Sequence, residues 1–409
     1  MGLKYTDRLT RKRLWRTIVP LCAIVFAVCL QYRSLALAEA NAGESAGFVT
    51  DYVVFWAAAR LLLTGGNPFS PVEVFELQRL VGLTEPKPLL MWNPPWTLSI
   101  ALPFGAMEFR TSQFLWLLLH VFFILGSAQK LWSIYNRSEQ KSYLPWIAAL
   151  TLIPTWFVLI LGQISPLILV GIVGFLHFEK KKNYFLAGIA TVLISVKPHL
   201  LYLFWPAMML WIWKHKRWRV AVAASLGGLV VGAIPAIIDP AVYSQFIEMY
   251  RNPGRTTPFE LPAPSLGSLL TLYMHHREVP IQFLPPLVGT LWFLWHWQRQ
   301  KANWDWSEQI PILILVSLTL SAYAWTYDYV ILLPAVVHGL AIVHRQGSPW
   351  YGNKVVLLYG AINACYFISK LFVTIDIYYF WLAPAFLLTY LGLGAFSSRA
   401  ASATPGGVS

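Results

Sequence analysis

Ser195-Val196-Lys197-Pro198-His199 closes a long apolar run. A cation at such a place is costly in lipid, and Pro198 must break a helix there. Lys197 either snorkels to the surface or holds an anion. A fixed ammonium favours a phosphate leaving group as negative charge develops on it. Arg251 and Arg255, in Tyr250-Arg251-Asn252-Pro253-Gly254-Arg255, would extend such a clamp or bind lipid headgroups. An acid stands far upstream. Asp51 opens the stretch Thr50 to Arg60, which has the pattern of a helix start. It is either a helix cap or a carboxylate held above lipid headgroups, able to take a proton from a hydroxyl. Partial desolvation there would raise its basicity.

Other polar residues stand at similar breaks. Gln163 lies in the turn Leu161-Gly162-Gln163-Ile164-Ser165-Pro166. A buried amide there needs partners, from a helix end or from a ligand. Trp92-Asn93-Pro94-Pro95-Trp96 is a rigid re-entry whose aromatics stack on a sugar or anchor at the interface. In Ala324-Trp325-Thr326-Tyr327-Asp328-Tyr329, Asp328 has three available roles: helix cap, partner of Lys197, or sugar ligand. Gln163, His199, Asn93, Trp92, Tyr327 and Asp328 form the candidate substrate-binding set. His275-His276 is a weak metal signal, because adjacent histidines on a helix point apart. Cys22, Cys29 and Cys365 fall in apolar runs and define no disulfide framework. No metal and no other cofactor is expected.

The elements that must position these residues follow from composition. Of 409 residues, 57% are hydrophobic and 12% charged. Soluble domains carry about 25% charged residues, so a soluble enzyme and a disordered chain are both excluded. The net charge is +13. The excess lies in short loops between apolar runs, where it reports orientation rather than nucleic acid. Walker, dinucleotide Gly-rich and HExxH sequences are absent, which argues against ATP or a nucleotide-sugar as substrate.

The apolar runs are continuous, so an all-α polytopic membrane protein is expected rather than a barrel. About twelve spans are expected: 17–37, 111–133, 144–161, 164–178, 184–196, 199–213, 218–238, 279–298, 310–324, 329–344, 354–372 and 378–396. Several fall short of the roughly 20 residues a straight span needs, as broken helices around a cavity would. Residues 94–110 fit best as a re-entrant or tilted piece. The first run has a second reading as a signal peptide ending at Ala36-Leu37-Ala38.

Lys4 to Arg16, Lys130/Arg137/Lys141, Lys180 to Lys182, Lys214 to Arg219, Arg299/Lys301 and Arg345 all fall on one side when the spans alternate. That side, with both termini, should be cytoplasmic. Long segments 39–95 and 239–278 fall on the outer side, the first carrying interfacial helices, and so do Gln163, Lys197, Tyr327 and Asp328. Any chemistry is expected there, in one transmembrane domain over 1–396 followed by a short disordered tail over 397–409.

The ordered set resembles glycosyltransferase family 87, also known as the domain of unknown function 2029 family. It runs Asp51-Tyr52, Gly66-Asn67-Pro68-Phe69, Asn93-Pro94-Pro95, Gly162-Gln163, Lys197-Pro198 and Trp325 to Asp328. Each motif is short; their order over residues 17–396 carries the likeness. The resemblance implies a GT-C-like fold of the plasma membrane. It also implies transfer of a hexose, often mannose, from a polyprenyl-phosphate donor to a lipid-linked or envelope glycan. The transfer would be one inverting displacement, with no essential divalent metal. The family's acid at the first outer loop falls on Asp51, as general base, and its Lys-Pro position on Lys197. Some mannosyltransferases of the family carry a late histidine pair where this chain has Tyr327-Asp328. Two other functions fit the same outline. A lipid-linked sugar flippase would show symmetry between halves, which the sequence lacks. A glycan ligase or polymerase would use a lipid-diphosphate donor.

Overall fold

The computed structural model describes residues 49–136, 142–251, 261–274, 279–346, 349–373 and 375–402. The expected span 17–37, Arg255 and His275-His276 lie outside the described residues. All regular structure among the described residues is helical. The chain gathers into two compact units. One comprises residues 1–127, 154–198 and 215–258, and the other 128–153, 199–214 and 259–409.

Four described helical segments are long and apolar enough to cross a membrane: Phe109–Tyr135, Trp218–Ile238, Thr326–Arg345 and Asn353–Phe372. Their faces agree with lipid as solvent. On Trp218–Ile238, Leu229 is 69% exposed and Ile237 79%, with Val222, Leu226 and Val230 also outward. A row of that size in water would be an aggregation surface. Most of the other expected crossings among the described residues are shorter helices or broken pairs of them. The expected span 144–161 is two helices, Leu144–Thr151 and Ile153–Leu161, bent by 66° at Leu152. The 199–213 run divides into a 3-10 turn Pro198–Leu201 and helix Phe204–His215. Residues 94–110 form a 3-10 turn and an eight-residue helix, Leu98–Gly105, too short to cross. The last helix, Leu382–Ser402, runs beyond the expected end at 396.

In the first unit, helices Ser165–Lys180 and Tyr184–Ile194 make a hairpin through Lys181, Lys182 and Asn183. The Asn183 side chain caps the return helix by accepting from Leu186 N at 3.2 Å. Trp218–Ile238 lies along Tyr184–Ile194 at backbone contact distance: a Cβ on Gly188 would stand 2.3 Å from the Val220 carbonyl oxygen. Helix Tyr52–Thr64 packs on Leu98–Gly105. Its aromatics Tyr52, Phe55 and Trp56 are buried in protein. In the second unit, Trp306–Thr319 is buried on nearly every side, against Leu333–Gln346 and Leu382–Ser402. Asn363 Oδ1 accepts from Ile153 N at 2.9 Å, and the Tyr359 hydroxyl donates to Ala148 O at 2.8 Å.

Gly162 ends helix Ile153–Leu161 with φ +68°, and a Cβ there would stand 2.7 Å from Tyr52 Cβ. The next amide, Gln163 N, turns back to Val158 O at 3.1 Å, as in a glycine-terminated helix end. Both the left-handed backbone and the contact with Tyr52 demand glycine. Gly162→Val is therefore expected to destabilise by about 2 kcal/mol or more. Thermal unfolding in detergent checks it; an unchanged midpoint would contradict the turn geometry.

Candidate functional site

Asp51 occupies the residue before helix Tyr52–Thr64, yet its side chain makes no cap bond. The carboxylate turns to Gln163 instead. Gln163 Nε2 donates to Asp51 Oδ2 at 2.9 Å, and Lys197 Nζ donates to Gln163 Oε1 at 3.2 Å. The amide's orientation is fixed by its partners, since an ammonium only donates and a carboxylate only accepts. Gln163 and Lys197 are each 9% exposed, while Asp51 is half-buried. Burial pushes the Asp51 carboxyl above the ordinary carboxylate range; the Gln163 bond and the Lys197 charge pull it partly back.

The acid is anchored on both flanks. Gln113 Nε2 donates to Thr50 Oγ1 at 3.2 Å. The Tyr52 hydroxyl is hydrogen-bonded to that of Ser112, which donates onward to Phe104 O at 2.8 Å. The Tyr52 ring packs on Trp116 at 5.3 Å between centroids. Trp116 Nε1 donates to Gly162 O at 2.8 Å, beside Gln163. Helix Phe109–Tyr135 thus holds the residues flanking Asp51 by their side chains and the peptide before Gln163 by its carbonyl.

The cation is anchored from another direction. Helix Tyr184–Ile194 ends before Pro198, and carbonyls at such an end lose their helical donors. Asn93 Nδ2 donates to Val196 O at 3.0 Å, and Trp96 Nε1 to Ser195 O at 3.3 Å. The expected substrate ligand Asn93 therefore uses its amide N–H on the backbone that carries Lys197. Trp92 is also engaged by protein, edge-on to Tyr250 at 5.1 Å. Tyr250 precedes Arg251, which is exposed at the end of helix Val242–Arg251. Gly66-Asn67-Pro68-Phe69 is a tight turn: Asn67 Oδ1 accepts from Phe69 N at 2.8 Å, and Glu73 Oε2 from Asn67 N at 2.9 Å. Glu73 thereby helps to close that turn.

In the second unit, His199 lies 5.8 Å from the Tyr323 ring, and Trp325 stacks on Tyr327 at 6.1 Å. Asp328 is 1% exposed, and its Oδ2 accepts from Trp325 N at 3.1 Å, which is a cap on the 3-10 turn Thr326–Leu332.

A family model described as glycosyltransferase family 87 matches residues 92–322, more than half of the 409. The chain belongs to glycosyltransferase family 87. Searches of curated proteins and of solved structures return no match. This family 87 chain is thereby a glycosyltransferase, and its exposed apolar helices make it a membrane protein. The matched stretch holds Asn93, Gln163, Lys197 and Arg251. Asp51 lies before it, so geometry alone joins that acid to the matched residues.

Sequence reasoning passed over the face that supports the acid. Phe109, Gln113, Trp116 and His120 recur at four, three and four residues, all buried, with Ser112 beside them. That spacing marks one stripe of an apolar helix, and its polar members were the available signal. Gln78 was also unread; its amide pairs with both backbone groups of Leu89, at 2.7 and 3.0 Å.

Asn93→Leu removes the donor from Val196 O at the lysine's own peptide. A lost buried hydrogen bond of this kind costs about 1–3 kcal/mol. A fall of several degrees in the unfolding midpoint is expected, and no fall would exclude the anchor.

Proposed function

We propose that this chain moves a hexosyl group, mannose-like, from a polyprenyl-phosphate donor to a lipid-linked or envelope glycan, on the outer face of the plasma membrane. The observation that carries the reading is the bridge from Asp51 through Gln163 to Lys197. It sets an acid and an ammonium apart, one amide between them. The acceptor hydroxyl oxygen bonds to the anomeric carbon as the bond from that carbon to the phosphate oxygen breaks. The electron pair leaves with polyprenyl phosphate, and the hydroxyl proton passes to Asp51. Lys197 meets the charge that grows on the leaving phosphate. Arg251 and Arg255 add positive charge to the donor side. Attack and departure on opposite faces invert the anomeric centre, as in-line geometry requires.

The raised basicity of Asp51 suits a general base better than a free carboxylate would. The sidedness rests on the hairpin. Gln163 precedes Ser165–Lys180 and Lys197 follows Tyr184–Ile194, so both stand at the end opposite Lys180-Lys181-Lys182. A helix of 16 residues is about 24 Å long. Basic turns favour the cytoplasm, which leaves the acid and cation outside. Trp92, His199, Tyr327 and Asp328 remain candidates for sugar contacts.

Asp51→Asn is expected to fold and lose at least about a thousandfold in transfer, since a base contributes 10²–10⁴-fold in general. Transfer at near wild-type rate from purified Asp51→Asn would remove the base. Lys197→Ala should weaken polyprenyl-phosphate binding at least tenfold in a titration; equal affinity would remove the phosphate role. In wild type, the acid limb of kcat/KM against pH should lie above the ordinary aspartate value of about 3.9. Activity is then lost as pH falls through the raised value, because the protonated acid accepts no proton.

A further inference from the structure

Gln163 is the expected substrate ligand whose two polar ends are both engaged by protein. We infer that it is a positioning residue, a neutral spacer that keeps the general base and the phosphate-binding cation from pairing with each other; this rests on the function proposed above.

Opposite charges at close range form an ion pair unless something holds them apart. A direct pair would depress the acid's basicity and occupy N–H donors that a phosphate needs. Asp51 makes no direct ion pair among the described residues. Its charge meets Lys197 through space, while its Oδ2 is bonded to the amide. Oδ1 accepts no hydrogen bond among the described residues, and it is the oxygen assigned here to the acceptor hydroxyl.

The side chain required is narrowly defined. It must donate to a carboxylate at one end and accept from an ammonium at the other. A neutral carboxamide does both through two separate atoms and has no titratable group of its own, whereas a hydroxyl would have to serve both partners through one oxygen. Glutamate could accept from Lys197 but would repel Asp51. Lysine would pair with Asp51 and repel Lys197. The spacer is also placed with unusual firmness for a turn residue. Gly162, with φ +68°, fixes its direction, and Trp116 holds the preceding carbonyl at 2.8 Å. The bridge is therefore built into the backbone rather than formed by two long side chains that happen to meet.

Gln163→Glu separates this role from the others. Its added charge should raise the acid limb of kcat/KM by about one pH unit or more, since a like charge disfavours ionisation. The double variant Asp51→Asn with Gln163→Glu restores a donor facing an acceptor at each junction. It should recover the unfolding midpoint lost by Gln163→Glu and still show no transfer. A raised limb with that recovery supports the spacer. A limb at the wild-type pH, with the defect confined to KM, would overturn it in favour of substrate contact. A lowered midpoint with the limb unmoved would overturn it in favour of a purely structural role. If instead Asp51→Asn alone keeps activity, the proposed base has failed and not the spacer.

Discussion

An acid and an ammonium share one amide in the first unit, and much of the surrounding structure serves to hold that amide and its neighbours still. Buried charge is tolerated only when it is paired or hydrogen-bonded, and Gln163 satisfies both ends. Each of the three residues sits just outside a helix: Asp51 before one, Gln163 between two, Lys197 after another. Helix ends are where backbone groups lack partners. They are therefore where side chains of Thr50, Asn93, Trp96 and Trp116 find carbonyls or neighbours to bind. The polar chemistry and the breaks in the helices have one origin.

That arrangement also accounts for short helices in a membrane protein. A straight span places its ends at the lipid boundary and offers no polar backbone below it. Helices of 16 and 11 residues, Ser165–Lys180 and Tyr184–Ile194, end early and open a depth of polar groups. Gly188 lets Trp218–Ile238 come within backbone contact of that hairpin. The outward side of Trp218–Ile238 is apolar from Val222 onward except at Ser225, as suits a lipid-facing wall. The isoprenoid donor proposed above would need both surfaces near one another.

The longer described helices were legible in the sequence because continuous hydropathy marks them, whereas short ones such as Val242–Arg251 and Leu266–Tyr273 lie outside every expected run. The breaks were legible where proline or glycine makes them, at Pro198 and Gly162. Side-chain roles were harder to read. Asn93 and Asp328 carry the donor and acceptor groups of a ligand site, and each spends part of them on a neighbouring backbone. Nothing in a local motif tells whether an amide faces a ligand or a carbonyl about a hundred residues away. Asp51 was open between cap and base for the same reason; only coordinates show the side chain turned from its helix toward Gln163. The stripe through Gln113, Trp116 and His120 shows the opposite case, where the pattern stood in the sequence at helical spacing.

Coupling between the two charges is the centre of this account, and infrared difference spectroscopy reads it without turnover. The protonated Asp51 band, assigned by its loss in Asp51→Asn, would be titrated with and without polyprenyl phosphate. A bound phosphate offsets the Lys197 charge, so the account predicts that the Asp51 midpoint moves to higher pH on loading. A midpoint that does not move while the phosphate binds would contradict a shared site.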